Sequence, residues 1–367
     1  MILPTALVDR WPGDAYKQQH QTIESALKHN VSDAISLHRD IKLLKSVENY
    51  IATLPEDIDN ISKEERLKLK REGTASSFRE QLSQSIIAKD EELTRLIKYS
   101  DYPAMTMAAY PDSVFIEKSR YWKEEGNITG PVLIRGISSG KIADHVRAKG
   151  DDYYFIETGY LGNYRCQNNR TGRKVYHRIV KNAMQHQTVM DVPADRWESL
   201  VKFNPGLEYQ GWRRTGSKIL VVLSTEKPFQ YYGEDQTKWL RKIKSTLKKH
   251  TDREIVFRTK ASRGERTNDT IYDAMCDDIY AVVTYNSIAA VEAIQFGIPA
   301  FALAPTAADP VGDKDLTNIE NPRMLDEGLI QKWLHSIAYS QFSIDEIITG
   351  QAWEMVLENE QRPTIDC

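Results

Sequence analysis

The stretch Asp277–Leu303, DDIYAVVTYNSIAAVEAIQFGIPAFAL, decides the fold because its hydrophobic pattern changes twice within 27 residues. Ile279–Thr284 is a short apolar run rich in β-branched residues, which is typical of a buried strand. Ser287 follows as a good helix N-cap, and the small residues after it predict a helix that ends at Gly297. Pro299 then begins a second apolar run. Strand, helix and strand in this order predict one unit of a parallel sheet.

The same alternation extends on both sides of this stretch. After Gly216, the runs KILVVLS, EIVFRT, IYAVVTY and IPAFAL alternate with helical patterns, and further upstream PVLIRG and DDYYFIE flank the helical pattern SGKIADHVRAKG. The pattern predicts an α/β protein with two Rossmann-like domains facing a cleft, preceded by a helical extension. The expected boundaries are 1–100 for the helical extension, 101–205 and 216–325 for the two Rossmann-like domains, and 326–367 for helices that cross back. The first segment is expected to cap its neighbouring domain or to bind a partner.

Composition indicates a soluble protein. The chain has 367 residues, of which 41% are hydrophobic and 28% charged, and its formal net charge is −3. The three cysteines, Cys166, Cys276 and Cys367, are far apart and form no CxxC pair, which favours a reducing compartment. The apolar run at the N-terminus is too short for a signal peptide or a membrane span. We therefore expect a cytoplasmic protein without stable membrane association.

Two segments in the C-terminal half are suited to hold a diphosphate. The helix beginning at Ser287 lies directly after a strand, so Asn286, Ser287 and the free amides there can bind phosphate. Glu292 is a carboxylate within an apolar helix, and either the hydroxyls of a ribose or an internal arginine would satisfy it. After the predicted strand Glu254–Phe257 comes a loop with four cations, which suits a diphosphate or is a plain surface loop. These cations are Arg258, Lys260, Arg263 and Arg266.

The segment TYNSIAAVEAIQFGIPAFAL resembles the nucleotide-sugar motif of two-Rossmann (GT-B) glycosyltransferases, especially those that build capsules and lipopolysaccharide. This resemblance implies that Ser287 and its helix amides hold the donor phosphates and that Glu292 holds the ribose. A nucleotide sugar, most simply a UDP-sugar, would then be the co-substrate. No visible motif requires a divalent metal. Epimerases that act on nucleotide sugars share this architecture and stay open as an alternative.

The segment FIETGYLGN and the residues after it predict the acceptor side. Glu157 ends a strand and enters a glycine turn, so we predict that it is the catalytic base, with Asp144 and His145 as further candidates. Cations and tyrosines without a carboxylate follow between Leu161 and Met190, a composition typical of nucleic-acid grooves that also suits an anionic saccharide. The predicted acceptor-binding residues are Tyr160, Asn163, Arg165, Arg173, Lys174 and Arg178. FIETGYLGN also resembles a Glu-Asp-Gly-Phe-Leu-Arg stretch of capsule transferases, with Thr158 in place of the aspartate.

From about Asp151 to Trp353, the chain is similar to glycosyltransferases of tailed phages, some of which glucosylate hydroxymethylated pyrimidines in DNA. This resemblance implies transfer of a hexose from a UDP-sugar to a 5-hydroxymethylpyrimidine in double-stranded DNA, within the host cytoplasm. Two other functions stay open. One is transfer to a glycan of the capsule or lipopolysaccharide type, and the other is non-catalytic binding of nucleic acid by the same fold.

Overall fold

The computed structural model describes residues 5–8, 19, 23–53, 75–99, 114–128, 130–163, 176–259, 270–276 and 278–367. Its strands are β1 (Thr5–Val8), β2 (Phe115–Glu117), β3 (Val132–Arg135), β4 (Tyr153–Thr158), β5 (Tyr176–Lys181), β6 (Val189–Met190), β7 (Lys218–Leu223), β8 (Glu254–Thr259), β9 (Ile279–Thr284), β10 (Ala300–Ala302), β11 (Gln341–Ser343) and β12 (Thr364–Ile365). Its helices are α1 (Ile23–Thr53), α2 (Ala75–Tyr99), α3 (Tyr121–Glu124), α4 (Gly140–Ala148), α5 (Asp195–Phe203), α6 (Glu226–Tyr231), α7 (Gln236–His250), α8 (Ile271–Cys276), α9 (Ala289–Gln295), α10 (Glu327–Tyr339), α11 (Ile344–Thr349) and α12 (Gln351–Asn359).

The second of the two main sheets has four parallel strands in the order β10-β9-β7-β8. Lys218 at the start of β7 pairs with Glu254 of β8 on one side and with Ile279 of β9 on the other. In chain order within this unit the arrangement is 2-1-3-4, which is a doubly wound order with its switch point between the first and third strands. The switch point of this sheet therefore lies between β7 and β9.

The first sheet contains the same parallel order. Its strands lie in the order β11-β5-β4-β3-β1-β2, and the four strands from β2 to β4 are parallel while β5 and β11 are antiparallel additions. Two parallel sheets with helices between their strands confirm the predicted α/β class with two Rossmann-like units.

The two long helices connect neighbouring strands of the first sheet. β1 pairs with both β2 and β3, so residues 5–8 lie inside this sheet and α1 and α2 fall between β1 and β2 in the chain. Asp40 of α1 accepts a hydrogen bond from Lys89 of α2 at 2.8 Å. The described helical residues of the predicted extension over 1–100 therefore lie in the chain between two paired strands of the first sheet. Within the described ranges, no helix is both long and apolar enough to cross a bilayer.

The C-terminal tail returns to the first unit. β11 pairs with β5, and Ile347 of α11 and Trp353 of α12 join the core that contains Leu133 and Ile156 of the first sheet. Ser343 begins α11 with a capping box, in which its hydroxyl and the Glu346 carboxylate each bond the other residue's backbone amide.

Arg196 of α5 secures this tail to the segment that joins the two units. Its guanidinium donates to the backbone oxygens of Ala338 (3.2 Å) and Gln341 (2.9 Å) and pairs with Glu346 at 2.5 Å. Burial by itself would raise the pKa of the Glu346 carboxyl, but the hydrogen bonds and charge of Arg196 outweigh burial and lower it below its ordinary value. The pair is partly buried and hydrogen-bonded, so it contributes more than an exposed ion pair would.

Candidate active site

The carboxyl ends of β7 and β9 meet at the switch point of the second sheet. Ser224 follows β7, and its hydroxyl donates a hydrogen bond to Asn286 Oδ1 after β9 at 3.4 Å. The backbone oxygen of Ser224 accepts from Gln236 at the start of α7 at 2.7 Å. Ligands of doubly wound sheets bind at this position, outside the carboxyl ends of the strands that flank the switch point.

Aromatic packing and a glycine turn fix the conformation of the chain on either side of α9. Tyr285 stacks on Phe229 with ring centroids 4.0 Å apart, while Asn286 is 8% exposed and Ser287 is half-buried. The Ser287 hydroxyl accepts a hydrogen bond from the amide of Ala289 at 3.2 Å. The turn after α9 needs Gly297, because its φ is +78° and a Cβ there would lie 2.2 Å from the backbone oxygen of Gly211.

The helix α9 is buried along its whole length, which places its carboxylate in the interior. Glu292 is 3% exposed, and Gln295 one turn later donates to the backbone oxygen of Leu207 at 2.7 Å. Small residues at 289, 290 and 293 let α9 pack close to the sheet. The predicted contact of Glu292 with a ribose stays a prediction, since burial fits that role and the internal pairing equally well.

A glutamine of the first unit bridges two loops of the second unit at this edge. Gln185, which is 6% exposed, donates from Nε2 to the backbone oxygen of Asn286 at 2.9 Å and accepts from the amide of Ala307 at 3.2 Å. Two residues on, Gln187 donates to Asp309 Oδ2 at 2.9 Å. These bonds bring residues 185–187 against the loops that follow β9 and β10. Gln185 was not predicted from the sequence, because a single glutamine in an irregular segment carries no spacing signal.

Glu157 lies at the carboxyl end of β4 and is partly exposed. Its Oε1 accepts hydrogen bonds from the amide of Thr158 at 3.0 Å and from the Thr158 hydroxyl at 3.5 Å. In the part of the chain that the structure describes, Oε2 accepts no hydrogen bond. The carboxylate is thus oriented through one oxygen, which suits a general base whose other oxygen accepts a proton.

Three predicted acceptor-binding residues are structural. The Tyr160 side chain is 1% exposed, and its hydroxyl accepts from the amide of His186 and lies 3.0 Å from the ring nitrogen Nδ1. Asn163 bonds both the amide and the backbone oxygen of Tyr176, at 2.9 and 3.0 Å. Arg178, 7% exposed, donates to the backbone oxygens of Met184 and Thr158. The polar atoms of these three side chains are used inside the protein, and their predicted contact with an acceptor stays a prediction.

The same packing keeps a histidine uncharged. Burial of the His186 ring, with a smaller effect from the nearby Arg178 charge, lowers the pKa of His186 to about 3. Burial also raises the pKa of Tyr160 to about 12. Both groups therefore keep one protonation state through the neutral range and serve to position the turn after β4.

The two further candidates for the catalytic base lie on α4 in different surroundings. Asp144 is exposed and accepts a hydrogen bond at 3.2 Å from the hydroxyl of Tyr231, on α6 of the second unit. His145 contacts residues of the first unit: its Nε2 lies 2.8 Å from Glu125 Oε2, and its ring packs on Trp122 with centroids 5.0 Å apart. His145 is consequently a poor candidate for the base.

The cationic loop is described only at its first residue. Arg258 lies within β8, paired in register with Val222 of β7, and is half-buried one residue before the strand ends. The other predicted donor-binding cations, Lys260, Arg263 and Arg266, and the predicted acceptor-binding cations, Arg165, Arg173 and Lys174, lie outside the described residues. Within the described ranges, no group of three or more histidine, cysteine or carboxylate side chains is arranged to hold a metal ion.

Comparison with known proteins finds similarity only among solved structures. No family model and no curated protein matches the chain. The β Kdo 2,4 transferase of Thermosulfurimonas dismutans KpsC is 12% identical, with a TM-score of 0.40, over 66% of this chain and 93% of that one. The β Kdo 2,7 transferase of the same KpsC is 14% identical, with a TM-score of 0.38, over 70% of this chain and 97% of that one. These likenesses are too remote to assign an activity.

Proposed function

We propose that the chain is a glycosyltransferase that binds a nucleotide sugar at the switch point of the second sheet and uses Glu157 to activate an acceptor hydroxyl. One observation carries this proposal. The loop at Asn286 and Ser287 lies at the position where doubly wound sheets bind ligands, and Gln185 joins it to the unit that carries Glu157. A donor on one unit and a base on the other are the two components that glycosyl transfer requires.

Each component has a chemical task in the proposed reaction. The acceptor hydroxyl loses its proton as its oxygen attacks the anomeric carbon, and Glu157 takes that proton through Oε2. The bond between the anomeric carbon and the donor phosphate breaks, and negative charge grows on the departing diphosphate. The Ser287 hydroxyl, nearby backbone amides and Arg258, with Lys260, Arg263 and Arg266, would stabilise that charge. A UDP-sugar is the donor that we propose to test first.

For the acceptor we propose a hydroxyl of a surface glycan or its precursor. Burial of Arg178 supports this choice over duplex DNA, because a phosphate backbone requires exposed cations to bind it. DNA that contains 5-hydroxymethylpyrimidine is the second candidate, and Arg165, Arg173 and Lys174 are the residues that favour it.

Thermal-shift and calorimetric titrations with a panel of nucleotide sugars test the donor site. A bound donor stabilises the folded protein in proportion to its occupancy. We expect Ser287→Ala to weaken donor affinity by about tenfold or more, since a hydrogen bond to a charged group contributes roughly 1.5–3 kcal/mol. Ser217→Ala is the matched control, because Ser217 precedes β7 at the opposite end of the same sheet and bonds Asp278 there. Absence of stabilisation by any nucleotide sugar would refute the proposal, as would equal weakening in both variants.

Turnover tests the base. Glu157→Gln should keep donor affinity and lower kcat by on the order of a hundredfold or more, the usual contribution of a positioned general base. Glu208→Gln, a change of an exposed carboxylate between the two units, should leave kcat unchanged. Radiolabelled donor is incubated with lipid-linked glycan and, separately, with hydroxymethylated duplex DNA. Transfer to the DNA alone would overturn the proposed acceptor.

A further inference from the structure

The helix α7 carries a cationic face that lies apart from the proposed site. Six of the 49 lysine and arginine residues lie on its 15 residues, no carboxylate lies among them, and all six are exposed, in a chain whose formal net charge is −3. These are Lys238, Arg241, Lys242, Lys244, Lys248 and Lys249. At 100° per residue, five of them fall within about 120° of the helix circumference, and Lys244 lies at one side of that arc.

This face is rigidly held by the opposite side of the helix. Trp239, Ile243 and Leu247 are buried in the core of the second unit, and Asp235 caps the first turn by accepting from the amide of Lys238 at 2.7 Å. From Lys238 to Lys249 the helix rises about 16 Å, so the cations form a fixed row. A fixed row loses little conformational freedom when it meets a flat array of anions.

The cations of α7 are also unpaired. Within the part of the chain that the structure describes, none of the six forms an ion pair, although Arg253 three residues after the helix pairs with Glu320 at 2.9 Å. Six uncompensated positive charges on one helix repel one another, which costs stability that a neutral face would keep. A partner with negative charge would relieve this repulsion.

An aromatic side chain lies beside the row. Phe257 of β8 is 40% exposed, and Lys244 Nζ lies 4.5 Å from the centroid of its ring. Exposed aromatic rings next to lysines suit the boundary between the headgroups and acyl chains of a bilayer. The face therefore combines exposed cations with an exposed aromatic ring, and both features favour binding to an anionic lipid surface.

We infer that the outward face of α7, together with Phe257, is a reversible docking surface for an anionic phospholipid membrane. The face is convex, since it is the outer half of a helix whose inner half packs on the sheet, and a convex face fits a flat layer of headgroups. The major groove of duplex DNA also admits a cationic helix, and the exposed ring of Phe257 is the feature that favours a lipid surface over DNA.

Flotation of the full chain with vesicles tests this inference. We expect co-flotation with vesicles of phosphatidylglycerol and phosphatidylcholine in equal amounts, and none with phosphatidylcholine alone. Each lysine or arginine near an anionic bilayer contributes about fivefold in affinity. The variant Arg241→Gln/Lys242→Gln/Lys248→Gln/Lys249→Gln should therefore lose several hundredfold in affinity for these vesicles, about fivefold for each of its four cations. Glutamine is a good helix former, so α7 should persist.

The matched control removes four exposed cations that lie on other helices. The variant Lys141→Gln/Arg147→Gln/Lys202→Gln/Lys332→Gln changes the net charge by the same amount. Its affinity for anionic vesicles should fall by less than about threefold, because distant charges are screened. Circular dichroism verifies the fold of both variants. If the α7 variant does not fold, the wild type decides the question, since its flotation should fall at least tenfold between about 0.1 and 0.5 M salt.

Three results would overturn the inference: no flotation with anionic vesicles, equal losses in the two variants, or α7-dependent binding of a DNA duplex without binding of vesicles. The inference does not depend on the proposed function, and calorimetry with nucleotide sugars separates the two. The α7 variant should bind donor like the wild type whether or not it binds membranes.

Discussion

Replacing Gln185 by alanine removes the side chain that joins the first unit to the loops after β9 and β10. Its amide donates to the backbone oxygen of Asn286 at 2.9 Å and accepts from the amide of Ala307 at 3.2 Å. Because Gln185 is 6% exposed, both backbone groups would lose their partner where water has little access. Each buried group left unpaired costs about 1–3 kcal/mol. We therefore expect the free energy of unfolding to fall by roughly 2–6 kcal/mol, with the lower end favoured if a water molecule enters the space.

Urea denaturation followed by tryptophan fluorescence and circular dichroism measures this loss. The matched control is Gln187→Ala, which removes the bond to Asp309. Gln187 is exposed, so solvent replaces that bond and the expected change is within about 0.5 kcal/mol. Donor affinity should fall only in the Gln185 variant, because only Gln185 bonds the loop that carries Ser287. If the two variants lose the same amount, the reasoning about buried unpaired groups is refuted for this interface.

Two further substitutions, at Glu346 and at Gly297, test interactions that stabilise the fold. The pKa of the Glu346 carboxyl is lowered in the folded state, so the stability it supplies is complete above its ordinary pKa of 4.5 and is lost as pH falls through the lower folded-state value. Glu346→Gln should therefore flatten the fall of the unfolding free energy below about pH 5, and an unchanged slope in acid titrations would contradict the role of Arg196. Gly297→Ala forces a side chain into a left-handed conformation and within 2.2 Å of the Gly211 oxygen. We expect it to lower the free energy of unfolding by at least about 1–3 kcal/mol, and a smaller loss in urea titration would mean that the turn shifts freely.

The alternation of strands and helices could be predicted from the sequence wherever apolar runs were long and bounded by glycine. Ile279–Thr284 was predicted to its exact ends, and the predicted helix end at Gly297 agrees with α9, which ends at Gln295. The three-residue strand β11 and the four-residue strand β1 were not predicted, since so few residues show no period of their own. They are strands because the neighbouring strand supplies their hydrogen bonds. The capping box at Ser343 and Glu346 was a sequence signal that would have located the start of α11.

The site was harder to predict than the fold, because burial determines whether a polar side chain is exposed to a ligand or forms hydrogen bonds inside the protein. Arg178 and Tyr160 belong to a segment rich in cations and tyrosines, and that composition favours a groove. The fold uses their polar atoms for backbone oxygens and for His186 instead. The positions of Glu157 and Ser287 at strand ends, in contrast, were predictable from the strand pattern, since residues after parallel strands meet at one edge of a sheet. Only the three-dimensional arrangement reveals Gln185, whose bonds span more than 100 residues of chain.

A shared core, together with the bonds of Gln185, fixes the predicted base relative to the proposed donor loop, residues 285–288. Tyr160 and Leu161 directly follow β4 of the first unit, yet they pack in the same apolar cluster as Val282 of β9 and Ala289 of α9. Glu157 is three residues before Tyr160, and backbone bonds between β4 and β5 leave it little freedom. Burying four such side chains contributes several kcal/mol, in addition to the two bonds of Gln185. The Gln185 variant should therefore loosen the donor loop while the turn after β4 stays in place, so hydrogen exchange should accelerate at residues 285–288 and not at 158–161.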